Sequence, residues 1–128
     1  MKKTFKIQVN IVERCLDFGV SVIKVANKLS KTPAGYEIAR QLVRAGTSVG
    51  ANMEEAQEAM SKNDFIHKVN ISLKETRESI FWLEIILKAK MLPKKVVNPA
   101  INEAQEIRKI LASIIWKTKK NIKTKTKF

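Results

Sequence analysis

Apolar residues recur along this chain at spacings that alternate between three and four, the pattern of helices that each bury one stripe. Four segments show it. In the first, Val12, Leu16, Gly19, Ile23 and Ala26 keep the period, and in the second Ala39, Leu42, Gly46, Val49, Met53, Ala56 and Met60 do. The third carries Ile66, Val69, Leu73, Thr76, Ile80, Leu83 and Leu87, and the fourth Ala100, Ala104, Ile107, Leu111 and Ile114. No repeat at a solenoid period accompanies them. Such stripes suit left-handed bundle packing at about 20°.

Punctuation agrees with the period. Thr32-Pro33 reads as an N-cap followed by proline at the first helical position. Ser61 precedes Asp64 by three residues, a weaker capping box. Leu92-Pro93 closes the third helix, and the fourth starts at Asn98-Pro99 or nearer Lys94. The predicted helices span about 6–30, 33–59, 62–91 and 95–118 in one domain of residues 1–118, with 119–128 a flexible Lys-rich tail. Short connections force consecutive helices to run antiparallel. The expectation is an all-α, up-down-up-down antiparallel four-helix bundle.

Composition supports this reading. A chain of 128 residues, 45% hydrophobic, can bury a core without metals or disulfides. Four glycines and three prolines are too few for the turns of a small all-β domain. The single Cys15 excludes an internal disulfide and a Cys-rich metal site, which makes a reducing cytoplasm the expected location. Met1-Lys2-Lys3 resembles the basic start of a signal peptide, but polar residues interrupt everything that follows. No uncharged apolar run approaches the roughly 20 residues of a membrane span.

Charge adds a partner class. The net charge is +13, distributed as +5 over residues 1–33, −2 over 34–60, +2 over 61–92 and +8 over 93–128. First and fourth helices are neighbours in an up-down bundle, so a continuous basic face is expected. Its candidate phosphate-binding residues are Lys2, Lys3, Lys6, Lys24, Lys28, Arg108, Lys109, Lys117, Lys119, Lys120 and Lys123. Lysine dominates, and lysine meets phosphates as a point charge but reads bases poorly. The tail carries no aromatic except Phe128, which gives no stacking platform, and no apolar face for a membrane surface.

Catalytic constellations are missing. Di-iron bundles need two Glu-x-x-His motifs, and this chain has one histidine, His67, preceded by Asp64. Helical-bundle ribonucleases carry an arginine shortly before a histidine, whereas the nearest preceding arginine here is Arg44, a helix away. No Gly-x-Ser-x-Gly elbow is present, and Gly46 and Gly50 lie within a helical pattern rather than a phosphate loop. The expectation is a non-enzyme with neither cofactor nor metal.

Two helices hold unusual chemistry. In the second, mid-helix Gly46 and Gly50 each cost about 1 kcal/mol relative to alanine, a cost that close helix approach would offset. Ser48 and Asn52 share a face beside that stripe. They read either as an interhelical hydrogen-bond set fixing register or as a polar ligand site, and Asn52 is expected to be buried and bonded near Ser72 or Glu75. The third helix is apolar beyond one stripe, with only Glu84 charged from Ile80 to Leu87. Phe81, Trp82, Ile85 and Ile86, joined by Trp116 on the fourth helix, are therefore the expected subunit interface of a homo-oligomer.

The stretch Arg44-Ala-Gly-Thr-Ser48-Val-Gly-Ala-Asn52-Met-Glu54-Glu55 resembles a signature of the four-helix-bundle proteins encoded in intervening sequences of bacterial 23S rRNA genes. Asp64-Phe65-Ile66, then Ile71 to Glu78 and Trp82-Leu83, resemble that family's third helix. The similarity covers about residues 8 to 121, with Gly50 standing where several relatives carry a bulkier residue. The resemblance implies a ring-like homopentamer. It also implies kinship with the accessory variability determinant of diversity-generating retroelements, a basic barrel that binds a reverse transcriptase and nucleic acid. Arg44, Ser48, Asn52, Glu55 and Glu75 form the polar motif on which it rests.

Two functions follow as expectations. One is a non-catalytic, oligomeric, basic bundle that binds RNA or DNA through phosphates, as an accessory to a reverse transcriptase or to ribosomal RNA. The other is a protein-interaction scaffold whose charge meets an acidic partner.

Overall fold

A computed structural model describes the backbone of residues 9–126 and the side chains of residues 11–121. Four helices follow one another: α1 (Val9–Ala26), α2 (Pro33–Gln57), α3 (Lys62–Lys88) and α4 (Lys94–Thr126). Each packs on the next, and α4 returns to α1, while among the described residues the diagonal helices make no close backbone approach. The result is an antiparallel four-helix bundle with its core on the common axis.

The capping residues act as their sequence suggests. Thr32 Oγ1 accepts from the Gly35 amide at 3.0 Å with Pro33 as the first helical residue, and Ser61 Oγ accepts from the Asp64 amide at 3.0 Å. Gly35 is confined by that cap, because a Cβ there would lie 1.9 Å from the Ser30 carbonyl oxygen. The end of α3 is a Schellman turn: Met91 N–H donates to Ile86, Lys90 N–H donates to Leu87, and Lys90 sits in the left-handed region at φ 56°. Carbonyls left free by the last turn are thus satisfied.

Three stripes are buried much as the period predicts, and one is not. In α3, Ile66, Val69, Leu73, Thr76, Ile80 and Leu83 are buried. In α2, Leu42, Gly46, Val49, Met53 and Ala56 are buried, but Met60 lies beyond the helix end and is exposed. In α4 the stripe ends on Ile115, with Ile114 partly buried against it. In α1 the core positions are Ile11, Val12, Cys15, Phe18, Val22, Val25 and Ala26, with Leu29 in the turn that follows, so Val12, Gly19 and Ala26 of the expected stripe are buried. Leu16, assigned to the core by spacing, is 61% exposed, and Ile23 is exposed as well. Two apolar stripes run side by side on this helix, and the one holding the bulky Phe18 is turned inward.

The fourth helix is longer than expected. Its backbone is helical from Lys94, ahead of Pro99, and continues through Thr126 across most of the stretch assigned to a tail. At 33 residues it is about 50 Å long.

Candidate nucleic-acid interface

The polar motif of α2 lines its flank toward α3. Arg44 reaches across to Glu75 (3.4 Å) and Glu78, whose carboxylate also accepts from Trp82 Nε1 at 3.0 Å. About three turns further along α2, Glu55 pairs with Lys68 at 2.8 Å, which holds the Lys68 ammonium above its ordinary pKa through that hydrogen bond. Ser48 and Asn52 do not bridge the helices. Ser48 Oγ donates to the Arg44 carbonyl and Asn52 Nδ2 to the Ser48 carbonyl, both within α2, and Asn52 is half-buried. A side chain four residues beyond a helical carbonyl can back-bond to it. The buried interhelical bond comes instead from Ser72, whose hydroxyl donates to the Val49 carbonyl at 2.8 Å. Arg44 and Glu55 thus stitch α2 to α3, while Ser48 and Asn52 bond within α2.

The basic residues fall into two clusters rather than one face. Arg14 and Glu103 form a two-pronged pair, Nε to Oε2 at 2.9 Å and Nη2 to Oε1 at 2.6 Å, which fixes the register of α1 on α4. Lys24 lies ten residues beyond Arg14, about 15 Å toward one end of the bundle, with Lys28 further on. Lys117 lies fourteen residues beyond Glu103, about 21 Å toward the other end. Lys109, Lys117, Lys119 and Lys120 are exposed there, Lys109 within 3.8 Å of Glu106. Arg108 is half-buried, with Nε on Gln105. Lys2, Lys3, Lys6 and the side chain of Lys123 lie outside the described residues. After Glu106 the sequence has no acidic residue at all.

The expected interface is smaller than the sequence suggests. Ile86 is fully buried in the molecule's own core, so it is unavailable to a partner. Trp82 packs partly against that core, and Ile85 is half-buried. Phe81, 55% exposed, meets Trp82 edge-on with ring centroids 5.0 Å apart. A second apolar surface lies on the exposed side of α1. Leu16, Val20 and Ile23 flank a groove floored by Cys15, Gly19, Gly50 and Ala51, with Thr47 and Glu54 from α2. A strand of small residues opposite the second α1 stripe is the signal that could have located it.

Trp116 stands apart. It is 63% exposed, with the Lys120 ammonium 5.1 Å from its ring centre. Given antiparallel helices joined by a short turn, it lies about 22 Å along the bundle axis from Phe81.

Among the described residues no group of His, Cys, Asp or Glu could hold a metal ion, and no helix is long and apolar enough to cross a membrane. His67 is exposed on α3. Burial pushes the Cys15 thiol up to about 12, which leaves it protonated and unreactive at neutral pH.

Comparison with known proteins agrees with this architecture. No functionally curated protein matches the chain. A crystal structure of a protein of unknown function from the S23 ribosomal protein family of Bacteroides thetaiotaomicron superposes with a TM-score of 0.77 at 35% sequence identity, over 82% of this chain and 97% of that one. The family model for 23S rRNA-intervening sequence proteins matches residues 8–113, from the start of α1 into the second half of α4. By that match, this chain belongs to the 23S rRNA-intervening sequence protein family.

Proposed function

We propose that this protein is a non-catalytic, self-associating basic bundle that binds RNA or DNA through phosphate contacts. The observation that carries the reading is the second half of α4. Eight lysines and arginines follow Glu106 without one carboxylate. From residue 107 to 126 this makes about 30 Å of helix with charge of one sign. Such a surface concentrates polyanions, and the point-charge chemistry of lysine favours phosphates over base edges. Lys24 and Lys28 at the opposite end supply a second contact. A long nucleic acid could engage both.

Self-association is supported by Phe81 and by the groove between α1 and α2. Exposed apolar surface on an otherwise highly charged molecule favours burial against a second copy. The resemblance stated above implies five copies. Repulsion between basic ends then places them at a shared rim or channel, where bound phosphates offset it.

A mobility-shift assay with mixed-sequence RNA at low salt tests the function, with the RNA itself examined for cleavage. Retarded, intact RNA is expected. Failure to bind either RNA or DNA contradicts the reading, and cleavage by pure protein contradicts its non-catalytic part. Binding to an acidic protein in place of nucleic acid would favour the scaffold alternative.

A further inference from the structure

We propose that Trp116 is the stacking platform of a single-strand site, on which an unpaired base of RNA or DNA lies while neighbouring lysines hold the flanking phosphates. This rests on the phosphate-binding reading above and names the form of nucleic acid that the α4 end prefers. Trp116 is among the most exposed large apolar residues of the molecule. Its surroundings differ from those of Phe81. Phe81 has Trp82 beside it and Ile85 one turn on, an apolar patch suited to a protein partner. Trp116 has Lys117 beside it, Lys119 and Lys120 one turn on, and Lys109 two turns back, all exposed. Covering it with another protein surface would take those ammonium groups out of water, and lysine is depleted at interface centres for that reason. A base between two phosphates satisfies the ring and the cations together.

The Lys120 ammonium already occupies a position over the ring. At an exposed site such a contact is worth a factor of about two to five. A stacked base is worth about five- to 150-fold. Stacking therefore displaces the ammonium, which moves to the adjacent phosphate. From Lys109 to Lys120 is eleven residues, about 16 Å of helix, enough for a short run of strand. Away from its ends a duplex offers the platform no base face, since internal bases are stacked on both sides and extruding one costs pairing as well as stacking.

Fluorescence quenching and anisotropy with a labelled mixed-sequence oligonucleotide, single-stranded and as its duplex, test this. Trp82→Phe leaves Trp116 as the reporting indole. Expected results are tighter binding of the single strand, quenching of Trp116 on binding, and a loss of about tenfold in single-strand affinity for Trp116→Ala. Trp116→Phe should recover much of it, and duplex affinity should stay within about twofold. Single-strand affinity unchanged in Trp116→Ala, or equal affinity for both forms, would overturn the platform while leaving phosphate binding standing. Absence of binding to either form at low salt would overturn both. A drop in molecular mass of Trp116→Ala, measured by light scattering alongside, would reassign the residue to a subunit contact and overturn the platform too.

Discussion

Gly46 and Gly19 show how a single hydrogen atom's worth of space decides the α1–α2 packing. A Cβ at Gly46 would meet the Val22 methyls at 2.7 Å, and Val22 is both fully buried and stiff at χ1. A Cβ at Gly19 meets Thr47 at an ordinary 3.6 Å. Gly46→Ala should therefore lose about 1–3 kcal/mol in denaturant melts through overpacking, although alanine is the better helix former. Gly19→Ala should gain up to about 1 kcal/mol. The close approach of two helices at Gly46 and Gly50 was legible in sequence, because mid-helix glycines need a packing reason. The Ser48–Asn52 bridge was misread, since spacing shows which side chains share a face but not whether each bonds its own helix. Ser72→Ala should consequently cost about 1 kcal/mol, and Asn52→Ala less than about 0.5 kcal/mol. Equal losses in thermal melts would contradict that assignment. Lys90 carries a left-handed φ that costs a non-glycine residue about 1–2 kcal/mol, so Lys90→Gly should raise stability by about 1 kcal/mol. Cys15 offers a pH test. Its thiol is raised by burial from 9.0 to about 12, so the unfolded chain loses this proton first. The contribution is whole below pH 9 and is lost between pH 9 and 12. Cys15→Ala should flatten stability over that window, and native Cys15 should resist alkylation at neutral pH.

At the scale of elements, helix order, direction and three of four core stripes followed from period and caps. The reason is physical: α2, α3 and α4 each have one dominant apolar stripe, and burying it fixes the rotation of the helix. On α1 two stripes compete, one through Leu16 and Ile23 and one through Phe18 and Val22. Their balance is set by neighbours that the local sequence does not contain. Gly46 and Gly50 on α2 leave room for Val22 and the Cys15 backbone inside, and Leu16, Val20 and Ile23 are left at the groove. The backbone of α4 runs on past its apolar period for a related reason. Lysine is a good helix former and its charge complements a helix C-terminus, so loss of apolar period did not end the helix. The Arg14–Glu103 pair ties α1 to α4. It is more than a third exposed, so Glu103→Gln should cost no more than about 1 kcal/mol.

For the whole molecule, the candidate surfaces divide by chemistry. Basic charge lies at the two ends, the polar α2–α3 stitch runs along one side, and apolar surface remains at Phe81 and at the α1–α2 groove. The charge bias itself was evident in the sequence, but its splitting into two clusters was not. That splitting depends on the Arg14–Glu103 register, which no local pattern reveals. Sedimentation at moderate salt should report a mass several times 14.6 kDa, and Phe81→Asp or Val20→Asp should lower it. A wild-type monomer across micromolar concentrations would contradict self-association.

The most direct measurement of the central claim is the affinity for mixed-sequence single-stranded RNA across a salt series. Each phosphate neutralised on a single strand contributes about −0.7 to the slope of log affinity against log salt concentration. Engagement of Lys109, Lys117, Lys119 and Lys120 predicts a slope of about −3, nearly independent of sequence. The triple variant Lys117→Gln, Lys119→Gln, Lys120→Gln should reduce its magnitude by about 2. Affinity that is flat with salt, a slope unchanged in the triple variant, or no binding at about 50 mM salt, where phosphate contacts are strong, would contradict the claim.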